Sequence, residues 1–121
     1  MPSPIQMMLS AEKDARDFGF VYPNVEMILE QIKDECNEVK EAIDNKEPQN
    51  RQQEEIGDLI HAAIALCYHQ DFDVEETIAK SANKFALRMK RFKAIAQEKG
   101  LPNVLDMPVA KQLEIWKQAK E

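Results

Sequence analysis

Residues 25–45 read VEMILEQIKDECNEVKEAIDN. Apolar side chains recur there at Val25, Ile28, Ile32, Cys36, Val39 and Ile43. Steps of three and four repeat one face of an α-helix. Asn24 stands where a helix cap belongs, and Pro48 prevents continuation. A second run follows: Asn50 with Gln53 three residues on resembles a capping box, and Ile56, Leu59, Ile60, Ala63, Ile64 and Cys67 carry the same period to about Gln70. Two long helices joined across so short a break must pack antiparallel, so this stretch decides the fold class.

Working outward, residues from about Pro4 to Asp17 predict a first helix that stops near Gly19, with Pro23 beyond it. Asp73 with Glu76 opens a fourth helix running to about Lys99, where Gly100 ends it. Leu101 to Pro108 reads as an irregular linker, and Val109 to Ala119 as a short last helix. Three glycines in 121 residues and a chain rich in Ala, Glu, Lys and Gln agree with helix throughout. The expectation is an all-α bundle of about four main helices plus a short C-terminal one, forming a single domain over 1–121.

The longest apolar run, Ala62 to Cys67, is too short to span a bilayer, and the N-terminus lacks the pattern of a secretory signal. A cytoplasmic protein with no membrane role is expected. Cys36 and Cys67 lie at apolar helical positions and read as small buried hydrophobes. A net charge of −6 argues against nucleic-acid binding. The charges are segregated. Glu26 to Asp58 holds eleven acids against four bases, whereas Thr77 to Lys99 holds seven bases against Glu98 alone. Such an arrangement suits cations and a polyanion held together, and equally suits two solvated helix faces.

Two acidic pairs stand out: Glu35 with Glu38 on the second helix, and Glu55 with Asp58 on the third. A spacing of three puts both members on one side of a helix. On a helical wheel Glu35 lies about 60° from the centre of its apolar stripe and Glu38 about 120°, so the pair reaches from the core margin toward solvent. In an antiparallel hairpin all four can converge. Four carboxylates so close repel one another unless divalent cations sit among them, and an oxygen-only set suits Mg²⁺ or Mn²⁺ rather than zinc. Taken alone, Glu-x-x-Glu is a weak signal in any charged helix. Gly57, inside the third helix, adds to it if a close approach of the second helix requires it.

The runs Ile32 to Ile43 and Glu54 to Ile60 resemble the paired motifs of the MazG-type nucleotide pyrophosphohydrolases. The likeness extends to Gly19-Phe-Val-Tyr-Pro23, similar to a Gly-Phe-Asp-Trp-Pro-like stretch of that family, to Asn83-Lys-Phe85 followed by Arg88, and to the closing segment with Trp116 and Lys120. The resemblance implies a Mg²⁺-dependent enzyme, with Mn²⁺ able to substitute, that cleaves an NTP or dNTP to the monophosphate and pyrophosphate. It implies Glu35, Glu38, Glu55 and Asp58 as metal ligands, with Glu38, supported by Glu35, activating the water. Lys84, Arg88 and Lys120 would bind the triphosphate, and Trp116 would stack on the base or pack beside the sugar. Asn83 and Arg51 are further substrate candidates, and Glu54 could support the ligands from outside. A homodimer or higher homo-oligomer is implied as well. Val21 and Tyr22 depart from the family's Asp and Trp, which puts the base preference in doubt. The alternatives are a relative confined to one nucleotide (dUTP, dCTP or phosphoribosyl-ATP) and a non-catalytic bundle that binds nucleotide or protein. His61 and His69 have no second His or Cys at ligand spacing and read as surface or structural residues. Phe85, Leu87, Met89, Phe92 and Ile95 read as core or interface.

Overall fold

The computed structural model describes residues 1–120. It contains five helices and, among the described residues, no strand: α1 (Pro4–Asp17), α2 (Val25–Asp44), α3 (Gln49–His69), α4 (Val74–Glu98) and α5 (Val109–Ala119). No described helix is long and apolar enough to cross a membrane. The chain groups into two compact units: Met1–Val74 with α1 to α3, and a second from Glu75 with α4 and α5.

Helix α1 begins with a full capping box. The Ser3 hydroxyl accepts from the Gln6 amide and the Gln6 side chain accepts from the Ser3 amide. Asn24 caps α2 as the sequence predicts, its Oδ1 accepting from the Met27 amide at 3.0 Å. The start of α3 differs from expectation. Pro48 is the N-cap, no side chain bonds the first turn, and Asn50 already lies inside the helix. Proline at the boundary moves the start forward because its φ is preset and its carbonyl accepts from the Arg51 and Gln52 amides. The end of α2 also differs in cause. Lys46 takes a positive φ of 53°, and the Glu47 amide donates back to the Ala42 carbonyl, so a left-handed residue closes the helix before Pro48 is reached.

In the first unit α2 packs along α3, and α1 touches α3. Ile28, Ala42, Ala62, Ile64 and Ala65, three of them alanines, are the buried apolar residues of this pair. Tyr68 of α3 donates to the Leu9 carbonyl of α1 at 3.2 Å, and the Arg16 guanidinium lies over its ring. The buried line of α2 is Ile28, Glu35 and Ala42, one position before the line Leu29, Cys36 and Ile43. Glu35 is therefore buried rather than marginal, and Cys36, expected inside, is exposed. The apolar stripe of α2 is wider than one neighbouring helix can cover, so its Leu29–Ile43 edge stays open, as do Ile56 and Ile60 of α3.

Gly57 has no close neighbour: a Cβ built there would meet nothing within 4 Å among the described residues. The close approach expected at this glycine is absent. Gly57→Ala should therefore raise the stability of the isolated subunit by about 1 kcal/mol, the helix-propensity difference alone. Chemical denaturation checks this, and a loss of stability would show that something does pack there.

In the second unit Phe92, Ile115 and Ala119 form the core, with Met89, Ile95, Leu101, Val104 and Met107 packed against it. The irregular linker is held by Gln112, whose amide donates to the Val104 and Met107 carbonyls at 2.8 and 2.9 Å. Phe85 and Leu87 lie outside this core, 58% and 50% exposed.

Candidate metal and nucleotide site

The antiparallel hairpin sets the register of the acids. Glu38 precedes the middle of the α2–α3 connection by as much as Glu55 follows it, and Glu35 matches Asp58 in the same way. The two pairs therefore lie level with one another across the helix interface. Glu35, Glu55 and Asp58 each offer an oxygen within 4.8 Å of the others'. Glu38 is exposed beside them, within hydrogen-bonding reach of Glu35 and Glu55.

The electrostatics follow from that crowding. The Glu38 carboxyl is held above the ordinary carboxylate range, first by the charge of Glu35 and then by partial desolvation. Glu55 is raised mainly by burial and secondarily by the charge of Glu38, with Arg51 opposing. Two neighbours steady the cluster from one turn earlier. Gln31 Nε2 donates to Glu35 Oε1 at 2.6 Å, and Arg51 Nη2 donates to Glu55 Oε1 at 3.1 Å. The other oxygen of each acid, Glu35 Oε2 and Glu55 Oε2, is buried with no hydrogen-bond partner among the described residues. Two bare carboxylate oxygens away from water are costly unless something positive meets them. Oxygen donors at this spacing fit a hard divalent cation.

Arg51 is engaged locally. Besides Glu55 it donates to Glu54 Oε2 at 2.6 Å and lies 3.8 Å from Glu47. Gln31 was not anticipated from sequence, because a glutamine on a polar helix face carries no spacing signal. Its loss gives a prediction. If the acids hold a divalent cation, Gln31→Leu should weaken its binding by about tenfold, the usual effect of removing a group that orients a ligand. Calorimetric titration checks it, and unchanged affinity would remove Gln31 from the site.

A cleft in the same unit opens beside the acids. Phe20, Val21 and Tyr22 line it, together with Glu12, Gln31, Glu35, Asp58 and His61. The segment that departs from the family pattern thus borders the acidic cluster.

In the second unit Lys84 and Asn83 are exposed on α4, and Lys120 is exposed at the end of α5. Arg88 and Trp116 are joined. The guanidinium lies 3.8 Å from the indole centroid, and its Nε and Nη2 donate to the Trp116 carbonyl at 3.3 and 3.0 Å. Burial lowers the pKa of Arg88. The indole also meets Phe85 and Phe92, with centroids 5.6 and 6.0 Å away. The guanidinium already lies over the indole ring, and two of the Arg88 donors are already spent.

Comparison with known proteins agrees with this geometry. The family described as "MazG nucleotide pyrophosphohydrolase domain" matches residues 24–92, which includes all four acids. The chain is 30% identical over 116 residues to the nucleoside triphosphate pyrophosphohydrolase/pyrophosphatase MazG of Thermotoga maritima, covering 96% of this chain and 44% of that protein. It is 25% identical to the nucleoside triphosphate pyrophosphohydrolase of Escherichia coli K12, covering 99% of this chain and 47% of that protein. The chain spans about half the length of these curated relatives. With a matched segment covering more than half of its residues and an all-helical fold with the motif acids clustered, the chain belongs to the MazG nucleotide pyrophosphohydrolase domain family.

Proposed function

We propose that the chain is a Mg²⁺-dependent pyrophosphohydrolase that splits a ribo- or deoxyribonucleoside triphosphate into the monophosphate and pyrophosphate. One observation carries the reading: Glu35 and Glu55 each bury an unpartnered oxygen beside Asp58 and Glu38. Four acids that only solvated a helix surface would have water around every oxygen. The names of the relatives supply the reaction type.

A cation held by Glu35, Glu55, Asp58 and Glu38 would neutralise charge on the phosphate oxygens. Glu38, exposed at the margin of the cluster as Asp58 also is, takes a proton from the attacking water. Its raised carboxyl brings it nearer the working pH, which suits a general base. Gln31 and Arg51 keep the buried acids oriented. In the second unit Lys84, Lys120 and Asn83 are the proposed triphosphate contacts, with Arg88 and Trp116 acting as the joined pair described above. The exposed apolar edges, Leu29 with Ile43 and Ile56 with Ile60, support a homodimer or higher homo-oligomer. The substrates would be those of the cytoplasmic nucleotide pool.

Pyrophosphate release from a panel of NTPs and dNTPs, with Mg²⁺ and with EDTA, tests the proposal. Metal-dependent release of NMP and pyrophosphate is expected. Folded protein that releases none would refute it.

A further inference from the structure

Glu12 of α1 is a carboxylate with no evident structural use. The residue is 9% exposed and lines the cleft beside Glu35 and Asp58. Among the described residues its one ionic neighbour is His61 Nε2 at 3.7 Å, beyond hydrogen-bond reach, and His61 is itself half exposed. Arg16, one turn along the same helix, has its guanidinium over the Tyr68 ring instead. The carboxylate is nine-tenths buried against the cleft wall, no described residue hydrogen-bonds it, and a ligand in the cleft can meet it in place of water. Gln31 lines the same cleft and donates to Glu35.

We infer that Glu12 reads the base of the nucleotide and selects bases that present N–H donors. The inference rests on the pyrophosphohydrolase reading, because that reading puts the phosphates over Glu35 and Asp58. The base then falls in the cleft, beside Tyr22 and within reach of Glu12. A carboxylate accepts only. Guanine presents N1–H and an amino N–H side by side and satisfies both oxygens, the strong bidentate arrangement. Cytosine and adenine offer one amino group beside a ring acceptor. Uracil and thymine flank their single N–H with two carbonyls, which the carboxylate repels. The expected order is guanine first, then cytosine and adenine, then uracil and thymine.

The experiment compares GTP and UTP in kcat/KM, and GMP and UMP in calorimetric binding with EDTA present, for the wild type and Glu12→Gln. The wild type should favour guanine by about ten- to hundredfold in both measurements. Glu12→Gln, which can donate as well as accept, should bring the ratio near one while leaving helicity unchanged. Glu12→Asp should weaken guanine binding yet keep its preference. Turnover without guanine preference, or a preference untouched by Glu12→Gln, overturns the inference and leaves the reaction standing. Guanine-selective binding without any turnover supports the base site and refutes the reaction. No binding of either monophosphate and no turnover overturn both.

Discussion

Glu38→Gln is expected to lower pyrophosphate release by about 10²- to 10⁴-fold, the range over which a positioned general base contributes. The side chain is exposed, so the amide fits without repacking and the fold should persist. Activity within a few-fold of wild type would refute Glu38 as the base. The same variant has a signature in stability. The Glu38 and Glu55 carboxyls are raised in the folded chain, by the charge of Glu35 and by burial respectively. Above the ordinary glutamate range the unfolded chain has released protons that the folded chain still holds. Stability from these groups is thus fully present below that range and is lost as pH rises through the raised folded values. In EDTA the wild-type Tm should fall as pH rises out of the ordinary glutamate range through the raised folded values, and Glu38→Gln should flatten the fall. Mg²⁺ should restore the wild type most at the upper end, where every carboxylate is charged. A fall of equal size in both proteins would mean that the cluster does not set the pH dependence.

Trp116→Ala should destabilise the second unit by about 3 kcal/mol, as loss of a packed aromatic usually does. The indole touches Phe85 and Phe92 and carries the stacked guanidinium of Arg88. Removing it opens the small core of Phe92, Ile115 and Ala119 and takes away the flat partner of a partly desolvated cation. Hydrogen exchange along α4 and α5 reads the effect in the unit concerned. Trp116→Phe should recover much of the loss. Protection that stays at the wild-type level in Trp116→Ala would mean that the tryptophan is held for the nucleotide rather than for the fold. KM for the triphosphate would then rise without any change in stability.

The helices themselves were legible in residue order alone. Apolar steps of three and four, Asn24 as a cap, Gly100 as a stop and the irregular 101–108 segment each act within one or two turns of the chain, and α1 and α5 fall where those local signs put them. The acidic pairs were legible for the same reason: a spacing of three on a helix leaves little choice of face. Their level meeting followed from a short connection that forces an antiparallel return. What spacing did not reveal depends on which neighbour covers which face. The stripe through Cys36 predicts burial there, yet the buried line lies one position earlier, on Ile28, Glu35 and Ala42. Gly57 looked like a contact point, and among the described residues nothing meets a Cβ built there. Lys46 ends α2 in a left-handed conformation that no glycine announces. Gln31 against Glu35, Glu12 walled into the cleft and Arg88 bound to Trp116 are contacts between side chains whose types fit many surroundings. Local periodicity decides which residues share a face. Only packing decides which face is covered, and hence which charges are stripped of water and made chemically useful.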